Sequence, residues 1–353
     1  YLFRPLGQDR YAECGDPETP GYFRLSGIDF RHAANRAQWG AVCAGSRGSL
    51  VEDVTVEWTN GQGIDGSGEG HVFRRTSADH NGQMGWGASC RGCLWEDTAA
   101  RGIYCKGYDM FWEAGGGKWS ETSGTILRRH TAVDNGGPGI WFDIDNADNT
   151  IEGCVARGNE AAGVMLELRT VRTLVQHCEI DGTRWRDWTG TGILSQAANR
   201  NVLLHNTVRG SEGSGLWLRL DPLRRAPDGD TWVVANVFSG NVTDRTVEAR
   251  EVSTEGLSPD HVRSYRFVQN AIRAWASGGT GDRSVFFVHP TDEGDYRGNS
   301  LRTWRRWVRD EGTVLASDTR IRVDPVALPR AGAPEAPARW AETAGAHPRE
   351  VGL

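Results

Sequence analysis

The sequence predicts an all-β solenoid of stacked coils, and three observations predict it. First, a glycine followed by a short apolar strand recurs as WGAVCAG (Gly40), QGIDGSG (Gly63), MGWGASC (Gly85), PGIWFDI (Gly139), AGVMLEL (Gly163), TGILSQA (Gly192) and SGLWLRL (Gly215), most intervals being 22 to 24 residues. Second, another element precedes each of these strands, as in VFRRTSADHN, ILRRHTAVDN and TIEGCVARGN. Third, the apolar spacing is period two and broken by Gly and Asn, which disfavours a helical repeat; the LxxLxL frame of a leucine-rich repeat is missing. A coil of this kind cannot bury its inner face alone, so stacking makes one continuous core.

Residues 1–21, with Pro5, Pro17 and Pro20, are expected as an irregular lead-in, and 22–290 as the solenoid. Aligned ends of the second element give a polar turn column of Asn60, Asn81, Asn135 and Asn159. A second column holds Thr55, Thr76, His130, Cys154, Cys178 and Asn206. His130 is expected as a hydrogen-bonded ladder residue and His80 as a turn residue. Between Gly85 and Gly139 the rhythm breaks; taking GGGKW as the strand and CKGYDMFWEA as a protruding loop restores the period. A further loop, GTRWRDWTG, lies between Gly163 and Gly192. Residues 291–324 are expected to cap the open end, with SLRTWRRWVRDEG as a short amphipathic helix presenting Leu301, Trp304 and Val308. Residues 325–353, rich in Ala and Pro, are expected as an extended tail.

Composition narrows the function. The net charge of −6 argues against a nucleic-acid partner. No run of apolar residues is long enough for a membrane span. Seven cysteines at irregular spacing do not suggest a disulfide framework, and the Cys90/Cys93 pair lacks the companions of a zinc site. Most of the cysteines are expected as small apolar packing residues inside the solenoid. The chain begins at Tyr1, which suggests that an N-terminal segment is missing. Of 40 basic residues only Lys106 and Lys118 are lysine, which draws attention to both. Lys106 falls on the inserted loop, where a solvated lysine is ordinary.

Strand alternation assigns an outward stripe: Asp65 and Ser67, Ser89, Lys118, Trp141 and Asp143, Met165 and Glu167, Gln196, Trp217 and Arg219. Asp143 and Glu167 fall on adjacent coils, and Asp145 is expected on the same face. Like charges so close require a shared proton, a cation or a basic neighbour. A bland alternative is solvated decoration balanced by Arg169 and Arg219. The exposed aromatics of the stripe are expected to bind sugar faces.

The repeat over roughly 22–245 resembles the right-handed parallel β-helix proteins of the pectate-lyase-like superfamily. The resemblance implies a single-stranded right-handed parallel β-helix, to which the residues themselves add the short C-terminal helix and extended tail expected above. WEAGGGKW, GPGIWFDIDN and the Glu of GVMLEL resemble a bacterial subfamily that pairs EAGGxK and GPGxWxDxDN segments with a later Glu. That match places Glu113, Lys118, Asp143, Asp145 and Glu167 on shared polar positions and implies a site without naming a reaction. One departure is the Met-Leu before Glu167, where relatives carry an aromatic.

Three functions follow as expectations. The first is glycoside hydrolysis, with Asp143 as nucleophile held by Lys118 and Glu167 as acid/base. The second is β-elimination or C5-epimerisation of a uronate polymer, with Lys118 as base and possible Ca²⁺ at Asp143, Asp145 and Glu167. The third is non-catalytic glycan binding. In each, Trp141, Asp145, Glu113, Trp119, Trp217, Arg219 and Arg169 are the candidate substrate contacts. The partner is a poly- or oligosaccharide, the protein a monomer, and its place extracellular, periplasmic or at the cell surface.

Overall fold

The computed structural model describes residues 14–17, 19–104, 106–110, 112–219, 230–239, 241–243, 248–249, 252–256, 262–273, 286–290, 296–298 and 301–316. The expected tail and most of the lead-in lie outside them. Within them the chain winds through three sheets of eleven strands each. All pairing in these sheets is parallel except the last in the third, Phe286–Pro290 with Tyr296–Gly298. A representative coil contributes Ile126–Arg128 to the first sheet, Thr131–Val133 to the second and Ile140–Asp143 to the third.

The corners follow from local chemistry. Between first and second strands seven successive coils make a one-residue turn in the left-handed region, at Asp53, Arg75, Asp97, Arg129, Gly153, His177 and His205 (φ 50–60°). Each non-glycine there costs about 1 kcal/mol or more. The residue that follows it compensates by entering a buried ladder. Asn206, for example, accepts from the backbone N–H of Cys178 (3.0 Å) and donates to Val175 O (2.9 Å). Asn81 does the same at the next corner, accepting from Thr59 N (3.1 Å). The aligned columns of the sequence are therefore right from the second coil onward but begin one residue late. Thr59 and not Asn60 bonds Asn81, and Thr55 pairs as a strand residue with Ser77.

The core is a run of aromatic side chains donated by successive coils. Phe73 stacks on Trp95 (4.9 Å between centroids), Trp95 meets Trp119 edge-on (5.9 Å), and Trp119 stacks on Phe142 (5.4 Å). Such pairs add about 0.5–1.5 kcal/mol each beyond the area they bury. Trp119, offered above as a substrate contact, is fully buried here. It lies on the inward phase of its strand.

His130 is a ladder residue, as expected: its Nδ1 meets Thr98 Oγ1 at 2.9 Å and its ring is buried. Burial, helped by Arg101, lowers its pKa to about 3. The folded protein thus resists protonation that the unfolded chain accepts near 6.5. Stability from this residue is complete above that pH and falls as pH drops toward 3. Because Asn fills the same column at Asn206, His130→Asn is expected to flatten the decline in thermal midpoint between pH 6.5 and 4. An unchanged decline would count against the assignment.

The first and second sheets present ionic ladders to solvent. Arg128 bridges Glu96 and Glu152, and Arg209 bridges Glu179 and Asp181. Only modest stability comes from such exposed pairs, yet they cover the edges between coils. At the far end the sheets run past the expected limit at 290, to Arg309–Glu311 and Val314–Ala316. The helix Leu301–Trp304 therefore sits within the last coil and not beyond the solenoid. Trp304 and Val308 are buried in the core, with Trp304 edge-on to Phe267 at 4.7 Å.

The cysteine expectation needs correction. Cys14 is bonded to Cys43 and Cys90 to Cys93. Cys154 and Cys178 are buried ladder residues, as packing required, with Cys154 N donating to Cys178 Sγ at 3.4 Å. Cys105 lies outside the described residues.

Candidate functional site

The outer face of the third sheet differs from the other two. GGGKW is a strand there, Gly115–Ser120, as the restored period requires, and the described residues before it, 106–110 and 112–114, form no strand or helix. One outward column runs Lys118, Trp141, Met165, Leu194, Trp217 in adjacent register. Another runs Ser120, Asp143, Glu167, Gln196, Arg219: Ser120 pairs with Asp143, Phe142 with Leu166, and Glu167 with Gln196. Asp143 and Glu167 are thus neighbours on adjacent coils.

Both acids line a groove of about 880 Å³. Its floor crosses Gln62–Asp65, Met84–Ala88, Gly115–Ser120, Ile140–Asp143 and Ala162–Glu167. Four strand spacings of ~4.8 Å make that roughly 19 Å end to end. Arg36 and Trp39 form part of one wall, their guanidinium and ring stacked at 3.6 Å. The acids are recessed, Asp143 being 3% and Glu167 5% exposed, so only a ligand that enters the groove reaches them.

Lys118 Nζ donates to Asp143 Oδ2 (2.8 Å) and to Trp112 O (2.8 Å), and lies 4.2 Å from the centre of the Trp141 ring. These are the contacts of a cation that fixes a carboxylate, and not of an amine standing open to a substrate. The other oxygen, Asp143 Oδ1, is buried without a hydrogen-bond partner. Glu167 Oε1 accepts from Gln196 Nε2 (3.2 Å), whose Oε1 accepts from Arg219 Nη1 (3.1 Å).

The turn after the acids holds them in place. Asn146 Nδ2 donates to the Asp143 carbonyl (2.9 Å), and Thr170 Oγ1 to the Glu167 carbonyl (2.7 Å). Asn146 in turn accepts from Thr122 Oγ1 (2.7 Å), so three coils share one buried ladder beside the site. Sequence reasoning missed Asn146 and Thr170; the signal was a polar residue three places after each acid.

Several expected contacts are elsewhere. Ile144 and Asp145 both have positive φ (59° and 52°), so strand alternation stops at Asp143. Asp145 turns outward into a bidentate pair with Arg169, which holds its carboxyl below the usual range. The carboxylate set considered for Ca²⁺ is therefore split, and among the described residues no three ligating side chains gather for a metal. This exposed pair is expected to be dispensable: Asp145→Ala should leave turnover and the thermal midpoint near wild type.

Trp141 is not an exposed platform. It is 1% exposed, packed with Ala162, Met165 and Leu194 under Trp188 and Trp217. Trp188 comes from the loop after Gly182 and meets Trp217 edge-on at 5.8 Å. Arg219 lies over both rings, and neither Trp217 nor Arg219 lines the groove. Glu113 is also outside it, accepting from Gln38 Nε2 (3.0 Å) and Gln83 Nε2 (3.1 Å).

Residues 23–219 match the right-handed β-helix region. That is more than half of the chain, which belongs to this family. The A-module of an Azotobacter vinelandii mannuronan C-5 epimerase superposes with a TM-score of 0.53 at 18% identity, over 78% of this chain and 66% of that one. A point mutant of a periplasmic alginate epimerase gives 0.51 at 12% identity, over 84% and 71%. At these identities the likeness is one of fold. No curated protein matches the chain in sequence.

Proposed function

We propose that the protein is a glycan-active enzyme that hydrolyses glycosidic bonds in the groove of the third sheet. The observation that carries this is the pair of recessed carboxylates on adjacent coils at the groove floor, one of them fixed by Lys118. A coil spacing of ~4.8 Å suits the ~5–5.5 Å between carboxyls in a retaining mechanism. Asp143 attacks the anomeric carbon while Glu167 gives its proton to the departing glycosidic oxygen. Water then attacks the same carbon, Glu167 takes its proton, and the bond to Asp143 breaks. Lys118 orients Asp143 for attack and is not itself the base.

A second reading is epimerisation or β-elimination of a uronate polymer. It is favoured by the epimerases that share the fold, and by Arg36 and Lys118 at the groove, which offer charge to a substrate carboxylate. Against it stands the engagement of Lys118 by Asp143 and Trp112. In either case the substrate is a saccharide polymer or oligomer, and an extracellular or periplasmic setting follows from that proposal.

The test is a panel of neutral and uronate polysaccharides assayed for new reducing ends and for ultraviolet-absorbing unsaturated ends. Reducing ends without the absorbance support hydrolysis. Absorbance, or a change in uronate configuration without cleavage, would replace it by the second reading. Binding without turnover would reduce the groove to a receptor.

A further inference from the structure

The exposed aromatic of this site is not among those the strand pattern nominated. Trp112 lines the groove and is 66% exposed, whereas Trp119 and Trp141 are buried. Trp39, which also lines the groove, already carries Arg36 on its ring.

The backbone around Trp112 is tied on every side. Trp112 N and Glu113 N both donate to Asp109 O (3.3 and 2.9 Å). Glu113 Oε2 is clamped by Gln38 and Gln83, and Trp112 O receives Lys118 Nζ. Met110 and Ala114 are buried on either side, against Ala161. The loop thus spends its polar and apolar anchors on fixing the main chain, while the ring itself stands in solvent at the groove. Preorganisation of this kind lowers the entropy lost on binding.

We propose that Trp112 is a stacking platform for the apolar C–H face of a pyranose ring, placed one coil before Asp143. The ligand class rests on the glycan reading above; the platform's existence rests on the loop. Lys118 joins the two, since one ammonium holds both Trp112 O and Asp143 Oδ2. A ring seated on Trp112 is therefore set at a fixed offset from the nucleophile. Glu113, which does not line the groove, positions the platform through its clamp on Gln38 and Gln83.

The experiment is calorimetric titration of the Glu167→Gln protein, in which turnover is expected to be slowed by about two to four orders of magnitude, with cello-, manno- and xylo-hexaose and with an oligogalacturonate. Trp112→Ala and Trp112→Phe are compared in the same background. Trp112→Ala is expected to raise Kd by about tenfold or more, and Phe to recover most of the loss. The thermal midpoint should stay put, because an exposed ring contributes little to the core. Glu113→Gln is expected to weaken binding less and to leave stacking intact. Equal affinity of Trp112→Ala and its parent would overturn the platform, as would failure of every probe to bind. Trp112-dependent binding of glycans from which the wild-type protein releases no product would instead leave the platform standing and remove the hydrolytic reading.

Discussion

Asp143→Asn is expected to lower kcat by about two to four orders of magnitude, with KM little changed and the fold retained. The expectation follows from the arrangement of the groove floor. Asp143 is recessed, held through one oxygen by Lys118, and carries a second oxygen without a partner. Asparagine keeps an acceptor for Lys118 Nζ and removes the charge that would attack. Asp143→Ala is a poorer test, because it strands a largely buried ammonium, which typically costs about 3–5 kcal/mol. Glu167→Gln should give a loss of similar size, since the acid has a separate role in each half of the reaction. Initial rates on the most reactive glycan, together with the thermal midpoint of each variant, provide the check. Activity preserved in both variants would remove the carboxylate pair from the chemistry.

The second large effect concerns stability. Trp119→Ala is expected to cost about 3–5 kcal/mol. The side chain bridges the stack between Trp95 and Phe142 and also meets His130 edge-on at 5.7 Å. Its loss opens a cavity that backbone-paired coils cannot close. A solenoid is stabilised coil by coil, so the loss should weaken its neighbours most and broaden the melt as well as lower it. Hydrogen exchange localised to Ile126–Arg128 and Ile140–Asp143 would show this. A raised KM with an unchanged melt would mean instead that Trp119 meets substrate.

Much of this architecture was legible because a coil repeats. The glycine period placed Gly115–Ser120 as a strand although the interval from Gly85 to Gly139 is irregular, and alternation put Lys118, Asp143 and Glu167 on one outer face. Alternation failed where backbone geometry changed. At Asp145 the left-handed φ ends the strand, so a residue two places after Asp143 no longer shares its face. It failed differently at Trp141, which does point outward but is covered by Trp188 from a loop far along the chain. No local pattern reports such cover. Trp112 was missed for the complementary reason: a loop residue has no phase, and its place at the groove depends on ties to Gln38, Gln83 and Lys118. Trp119 could have been set aside from the sequence, because it lies on the inward phase of its own strand.

The ladders show the same division. Asn81, Asn135 and Asn159 were visible as a column, but the first coil was aligned one residue late because Thr59 stands where later coils have Asn. Asn146 and Thr170 belong to a third ladder whose register only the turn after the third sheet reveals.

The most direct measurement is a crystal structure of the Glu167→Gln protein with an oligosaccharide of the polymer that the wild type cleaves best. The prediction is sugar density along the third sheet's groove, one ring against Trp112 and the next linkage over Asp143 and position 167. Density confined to the Trp188–Trp217 face or to the ionic faces of the other two sheets, with the groove empty, would contradict it.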